Sequence, residues 1–85
     1  MRGGVTEDAP ILVDARGHRC PVPSLRLRKA AEGRAGRRLV LLATDPMARI
    51  DVPFLMAELG GRVASVEEAG GVLTITVETR AAPTD

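Results

Sequence analysis

Aromatic residues are nearly missing from this 85-residue chain: Phe54 is the only one, and Trp and Tyr do not occur. Surfaces that bind single-stranded nucleic acid stack bases on several aromatic side chains and carry a marked positive excess. Here 12 Lys and Arg stand against 11 Asp and Glu, a net charge of +1, so autonomous nucleic-acid binding is disfavoured. Long hydrophobic runs are also lacking. The longest, Ile11 to Val13 and Leu39 to Ala43, fall far short of the ~20 residues a membrane-spanning helix needs. Met1 to Pro10 has no apolar stretch of signal-peptide length, and the chain reads as soluble and cytoplasmic. Cysteine is limited to Cys20, which excludes an intrachain disulfide and any Cys-x-x-Cys redox or zinc-clip mechanism. One histidine, one cysteine and scattered carboxylates lack the spacing of a metal centre, so neither a metal nor a cofactor is expected.

What is present fits one small domain. Folding a chain of this length hides only about 60–65% of its unfolded surface, which disfavours a deep ligand cavity. Hydrophobic residues make up 45% of the sequence, and with so few aromatics the core must be aliphatic. The expected organisation is a flexible N-terminus over 1–10, a folded region over 11–79 and a flexible C-terminus over 80–85.

Within the folded region, Ile11-Leu12-Val13 reads as a first strand that ends at Asp14 and Gly17. Pro21 suits the first turn of a helix, which continues to about Glu32 before Gly33 and Gly36 stop it. Pro23, Leu27, Ala30 and Ala31 share one face of that helix, and Arg26, Arg28 and Lys29 point to water. The unalternating run Leu39-Val40-Leu41-Leu42 predicts a central strand, ended by Asp45-Pro46. A second helix is expected from Asp51, with Asp51 as its cap and Pro53 in the tolerated first turn. Val52, Leu55, Met56 and Leu59 form its buried stripe, and Gly60-Gly61 its stop. Two strands, Arg62 to Ala69 and Val72 to Thr79, flank the Gly70-Gly71 hairpin turn. The order strand-helix-strand-helix-strand-strand, with a right-handed crossover, gives an α/β two-layer sandwich: two helices on one face of a four-stranded mixed sheet.

The chemistry concentrates at Cys20, beside the N-cap of the first helix. A helix N-terminus favours a thiolate because unsatisfied N–H groups place partial positive charge there. Eight basic residues and only two acidic ones, Asp14 and Glu32, lie between Asp14 and Arg38, leaving four basic against nine acidic elsewhere. That asymmetry predicts a basic surface around the thiol, suited to an acidic protein patch or an RNA backbone. Pro21 and Pro23 stiffen the turn that holds the sulfur. A lone cysteine is more often a small buried hydrophobe than a nucleophile; its place before proline at a strand–loop–helix junction, next to His18 and Arg19, brings the functional reading level with the structural one.

The spaced set Asp14-x-x-Gly17-x-x-Cys20-Pro21-x-Pro23, Thr44-Asp45-Pro46 and Asp51-Val52-Pro53 resembles the TusA/SirA family of small sulfur-carrier proteins, over about Leu12 to Val77. The resemblance implies a sulfurtransferase-type carrier whose Cys20 holds sulfane sulfur as a persulfide, on the two-layer fold derived above. It implies relay from a donor such as a cysteine desulfurase or rhodanese-like protein to an acceptor such as a DsrE-like protein, a tRNA-thiolation system or a molybdenum-cofactor system. Arg16 and Arg19 are candidates to stabilise the anionic sulfur or steer docking. His18 departs from the family, which often has an apolar residue there, and is a further candidate for thiol deprotonation or partner contact. Leu25, with Arg26, Arg28 and Lys29, is a candidate docking contact. Asp14, Gly17, Asp45, Pro46 and Asp51 read as structural, and Asp51 is not expected to act as a catalytic acid.

Two other readings use the same residues. In one, the fold is a regulatory or interaction module whose basic surface binds a partner protein or RNA and whose thiol is incidental. In the other, Cys20 forms a mixed disulfide with a partner. A monomer or weak dimer is expected, since the sheet face away from the helices is apolar enough to be wet or paired.

Overall fold

The computed structural model describes residues 9–80. The expected flexible ends fall largely outside these residues. Six elements follow in the expected order: β1 (Ile11–Ala15), α1 (Val22–Ala31), β2 (Arg38–Ala43), α2 (Ala48–Leu59), β3 (Arg62–Ala69) and β4 (Val72–Glu78). They form a four-stranded sheet in the order β1-β2-β4-β3. The β1–β2 pair is parallel and the other two pairs are antiparallel.

Period-two alternation decides which side chains meet the helices. Val13 and Ala15 on β1, Leu39, Leu41 and Ala43 on β2, and Leu73, Ile75 and Val77 on β4 are all buried. Against them pack Pro23 and Leu27 from α1 and Ala48, Val52, Leu55 and Met56 from α2. The opposite sheet face carries Val40, Leu42, Thr74 and Thr76, half-buried, and Leu12, exposed. The continuous apolar run of β2 thus serves a strand that is central in the sheet but covered by helices on one side only.

β3 is an edge strand in which Val63 alone is half-buried and the rest is exposed. Its register against β4 shifts between Val63 and Ser65, a bulge that re-aims the following side chains. Glu67 and Glu68 lie beyond it, charges that discourage edge-to-edge pairing. Gly70 and Gly71 both have positive φ, 58° and 81°, the conformation a tight two-residue hairpin turn demands.

Two local expectations need correction. α2 begins at Ala48, not at Asp51, so its buried stripe gains Ala48 one turn earlier and Pro53 lies inside the helix. The turn that starts it is built by Asp45 instead: its Oδ1 accepts the Met47 N–H at 3.0 Å, and its carbonyl accepts the Ala48 N–H at 3.0 Å. Competition from this short side chain, which satisfies backbone donors locally, sets the helix start.

The stop after α2 is tightly packed. Gly60 adopts the left-handed conformation at φ 79°, and a Cβ on Gly61 would collide with the Glu78 backbone carbonyl and lie 2.6 Å from Met56 Cε. Backbone cannot swing aside as a side chain can, so Gly61→Ala should destabilise the fold by about 1–3 kcal/mol. Thermal unfolding checks this; an unchanged midpoint would show that β3 and β4 separate at no cost there.

Candidate functional site

Because β1 and β2 run parallel and each is followed by a helix, both strand-to-helix loops emerge at the same end of the sheet. The loop 16–21 carries Cys20 and the loop 44–47 carries Asp45. Open α/β sheets place their sites at this carboxyl end of the strands. A side chain stitches the loops together: the Gly17 N–H donates to Thr44 Oγ1 at 2.8 Å, and Gly17 takes φ 83°, a turn that favours glycine. Gly17, His18, Arg19, Thr44, Asp45 and Pro46 line a shallow cleft between the loops.

Cys20 is exposed and unpaired. It directly precedes Pro21, the N-cap of α1, and the Cys20–Pro21 peptide is cis. Its N–H donates to Asp45 Oδ2 at 2.6 Å, so Asp45 spans two elements, fixing the Cys20 backbone with one oxygen and the start of α2 with the other. Its thiol donates to Asp51 Oδ2. Asp51, in the first turn of α2, is half-buried.

These contacts reverse the expected electrostatics. The hydrogen bond to Asp51 pushes the Cys20 thiol pKa up from its ordinary value, and desolvation and the charges of Asp51 and Asp45 add to the rise. The helix-end field is equivalent to roughly half a charge, whereas Asp51 brings a full one into contact. The basic residues do not compensate, because several are engaged elsewhere. Arg16 pairs with Asp14 at 2.7 Å, and that hydrogen-bonded pair holds the Asp14 carboxyl down at about 2. Arg28 pairs with Glu58 at 3.0 Å across the two helices, and Arg26 donates to the Asp14 carbonyl at 3.3 Å. The immediate surroundings of the sulfur are therefore acidic, not basic. Arg19 acts through Asp45, whose carboxyl it helps to hold down.

Of the other residues singled out, Pro23 is fully buried in the core and Pro21 is exposed. His18 is half-buried, its N–H bonded to the Ala15 carbonyl at 3.2 Å. Leu25 is 56% exposed, and Lys29 is exposed. Phe54, 72% exposed, and Ile50 are exposed apolar residues on α2, and Met47 is exposed at its N-cap. The direct contact of Asp51 with the thiol was missed by sequence reasoning, although parallel β1 and β2 already implied that the segments around Cys20 and Asp51 converge. Among the described residues no group of three or more His, Cys, Asp and Glu is placed to hold a metal ion, and no helix is long and apolar enough to cross a membrane.

Asp45 also yields an acid-pH prediction. Its carboxyl is held below the usual range, chiefly by the Cys20 N–H and then by the Met47 N–H. A carboxylate depressed in the folded state stabilises it fully above the unfolded value of about 3.9, and that contribution is lost as pH falls through the folded value. The Cys20 amide proton resonance should therefore titrate with a midpoint below about 3.9; an amide insensitive to pH throughout the acid range would contradict the bond.

Known proteins share this architecture. The crystal structure of a SirA-like protein from Desulfitobacterium hafniense superposes with a TM-score of 0.71 at 28% identity, covering 82% of this chain and 97% of the other. A chain from Archaeoglobus fulgidus is 40% identical over 68 residues, 78% of this chain and 88% of its own. The sulfur carrier protein TusA of Pseudomonas aeruginosa is 30% identical over 78 residues, 91% of this chain and 99% of its own. Residues 11–79 match the family described as Sulfurtransferase TusA, and with sequence, fold and relatives in agreement, the chain belongs to the TusA family of sulfur carriers.

Proposed function

We propose that the protein accepts sulfane sulfur as a persulfide on Cys20 and relays it to an acceptor protein. The observation that carries this reading is the position of the chain's one thiol: exposed, at the head of α1, with its backbone N–H tied to Asp45 at 2.6 Å. A relay needs a sulfur that two partners reach in turn, and the shallow surface here serves that better than a pocket.

In the loading step the Cys20 thiolate bonds to the terminal sulfur of a donor Cys–S–SH, the donor S–S bond breaks, and the donor thiolate leaves with the electron pair. The proton that left Cys20 ends on that thiolate or in solvent. Delivery repeats the exchange, with an acceptor thiolate attacking the outer sulfur of Cys20–S–SH. No second cysteine in this chain can discharge the persulfide as an internal disulfide. The proposed donors are a cysteine desulfurase or a rhodanese-like protein, the proposed acceptors a DsrE-like relay protein or a tRNA-thiolation or molybdenum-cofactor system, and the proposed compartment the reducing cytoplasm, where a free thiol persists.

Intact-mass spectrometry without reductant tests this, after incubation with a cysteine desulfurase plus cysteine and, separately, with a rhodanese plus thiosulfate. One added sulfur, removed by reductant, is expected. No addition from either donor, with the thiol still open to a small alkylating reagent, would overturn the reading.

A further inference from the structure

Cys20 is exposed, yet the atom it touches is a carboxylate oxygen. A nucleophile in a carrier is expected to face groups that stabilise its anion; here the charged groups facing it do the reverse. From α2 comes Asp51, in contact with Sγ. From the β2–α2 loop comes Asp45, anchored to the Cys20 N–H at 2.6 Å and to the Met47 N–H at 3.0 Å, so its charge cannot withdraw. Arg19 lowers the Asp45 carboxyl pKa through its charge, and the charges acting on the Cys20 thiol are those of Asp51 and Asp45. α1 contributes its N-terminus and no acidic residue in its first turn.

We propose that Asp51 is a proton-holding gate on Cys20: its carboxylate keeps the sulfur of the unpartnered carrier as a neutral thiol, and an apposed cationic group that offsets the carboxylate charge releases the thiolate. The proposal rests on the persulfide reading for its purpose. An exposed thiolate is open to oxidation and to indiscriminate exchange, and a neutral thiol avoids both. Release by an apposed cation implies that a productive donor presents an Arg or Lys side chain to the mouth of this site.

The test uses alkylation of the thiol by iodoacetamide, followed by intact mass across the neutral and alkaline range, so it reads Cys20 whether or not sulfur is ever loaded. For Asp51→Asn the midpoint of the pH–rate profile should fall by about one pH unit or more, the effect of removing one like charge at contact. At neutral pH that multiplies the thiolate about tenfold, while the less basic thiolate is about threefold weaker as a nucleophile, so the rate should rise only about threefold. At high pH, where both proteins are fully ionised, the variant should be about threefold slower than the wild type. The two profiles therefore cross. A loosened site would instead react faster at every pH, and that result, or an unmoved midpoint, would overturn the proposal.

Two further variants separate charge from fit. Asp51→Glu keeps the carboxylate and should keep the high midpoint, whereas Asp51→Lys places a cation at the site and should lower the midpoint beyond that of Asp51→Asn. A Glu variant that behaves like the Asn variant would overturn the assignment to charge. Thermal unfolding of each variant confirms that folded protein is being titrated.

Discussion

Cys20→Ser is expected to abolish sulfur loading completely while leaving thermal stability within about 0.5 kcal/mol of the wild type. The loss should be total because a persulfide needs a sulfur nucleophile and the chain has no other cysteine. The fold should survive because the residue is exposed and its structural bond to Asp45 is made by the backbone N–H, which serine retains. A serine hydroxyl can also donate to Asp51, as the thiol does. Intact mass after exposure to donor, together with thermal unfolding, measures both. Reductant-labile sulfur on the serine variant would place the loading elsewhere than residue 20. An unfolded variant would show that the sulfur is part of the scaffold.

The second large effect is on stability. Leu41 lies on central β2, paired with Val13 of β1 and Ile75 of β4, and is fully buried. Leu41→Ala should cost about 2–5 kcal/mol, the lost transfer energy plus the cavity left behind. For a domain of this size that is a large part of the total, and the melting temperature should fall by roughly 4–8 °C for each kcal/mol. Leu12→Ala is the matched control. It is also a leucine on a strand, but it faces away from the helices and is 64% exposed, so its effect should stay within about 0.5 kcal/mol. Equal losses at the two positions would contradict the assignment of the helix-covered face.

The elements were legible because their signals are local and redundant. Leu73, Ile75 and Val77 alternate with Thr74 and Thr76, and Val52, Leu55, Met56 and Leu59 recur at helical spacing; each pattern fits one period only, and each is found on the buried face. Gly70-Gly71 marked the hairpin through the positive φ that both residues adopt. The start of α2 was misjudged because Asp51 and Asp45 are both competent to organise a helix N-terminus. Burial of Ala48 and the Met47 N–H bond, neither readable from residue type, decided between them. The bulge between Val63 and Ser65 carries no local signature, since an edge strand tolerates an extra residue without glycine or proline.

The candidate thiol was legible from its isolation, its place before Pro21 and the spacing of the residues around it. Its electrostatics were not, because counting charges along the chain assumes that neighbours in sequence act on the sulfur. Folding sends Arg16 to Asp14 and Arg28 to Glu58, and brings in Asp51 from 31 positions away. The sequence by itself determined the element order, the aliphatic core and the single sulfur nucleophile, all consequences of periodicity and composition. Only the tertiary structure decided which charges surround that sulfur, because Coulomb interactions follow distance in space, and the parallel pairing of β1 with β2 is what closes that distance.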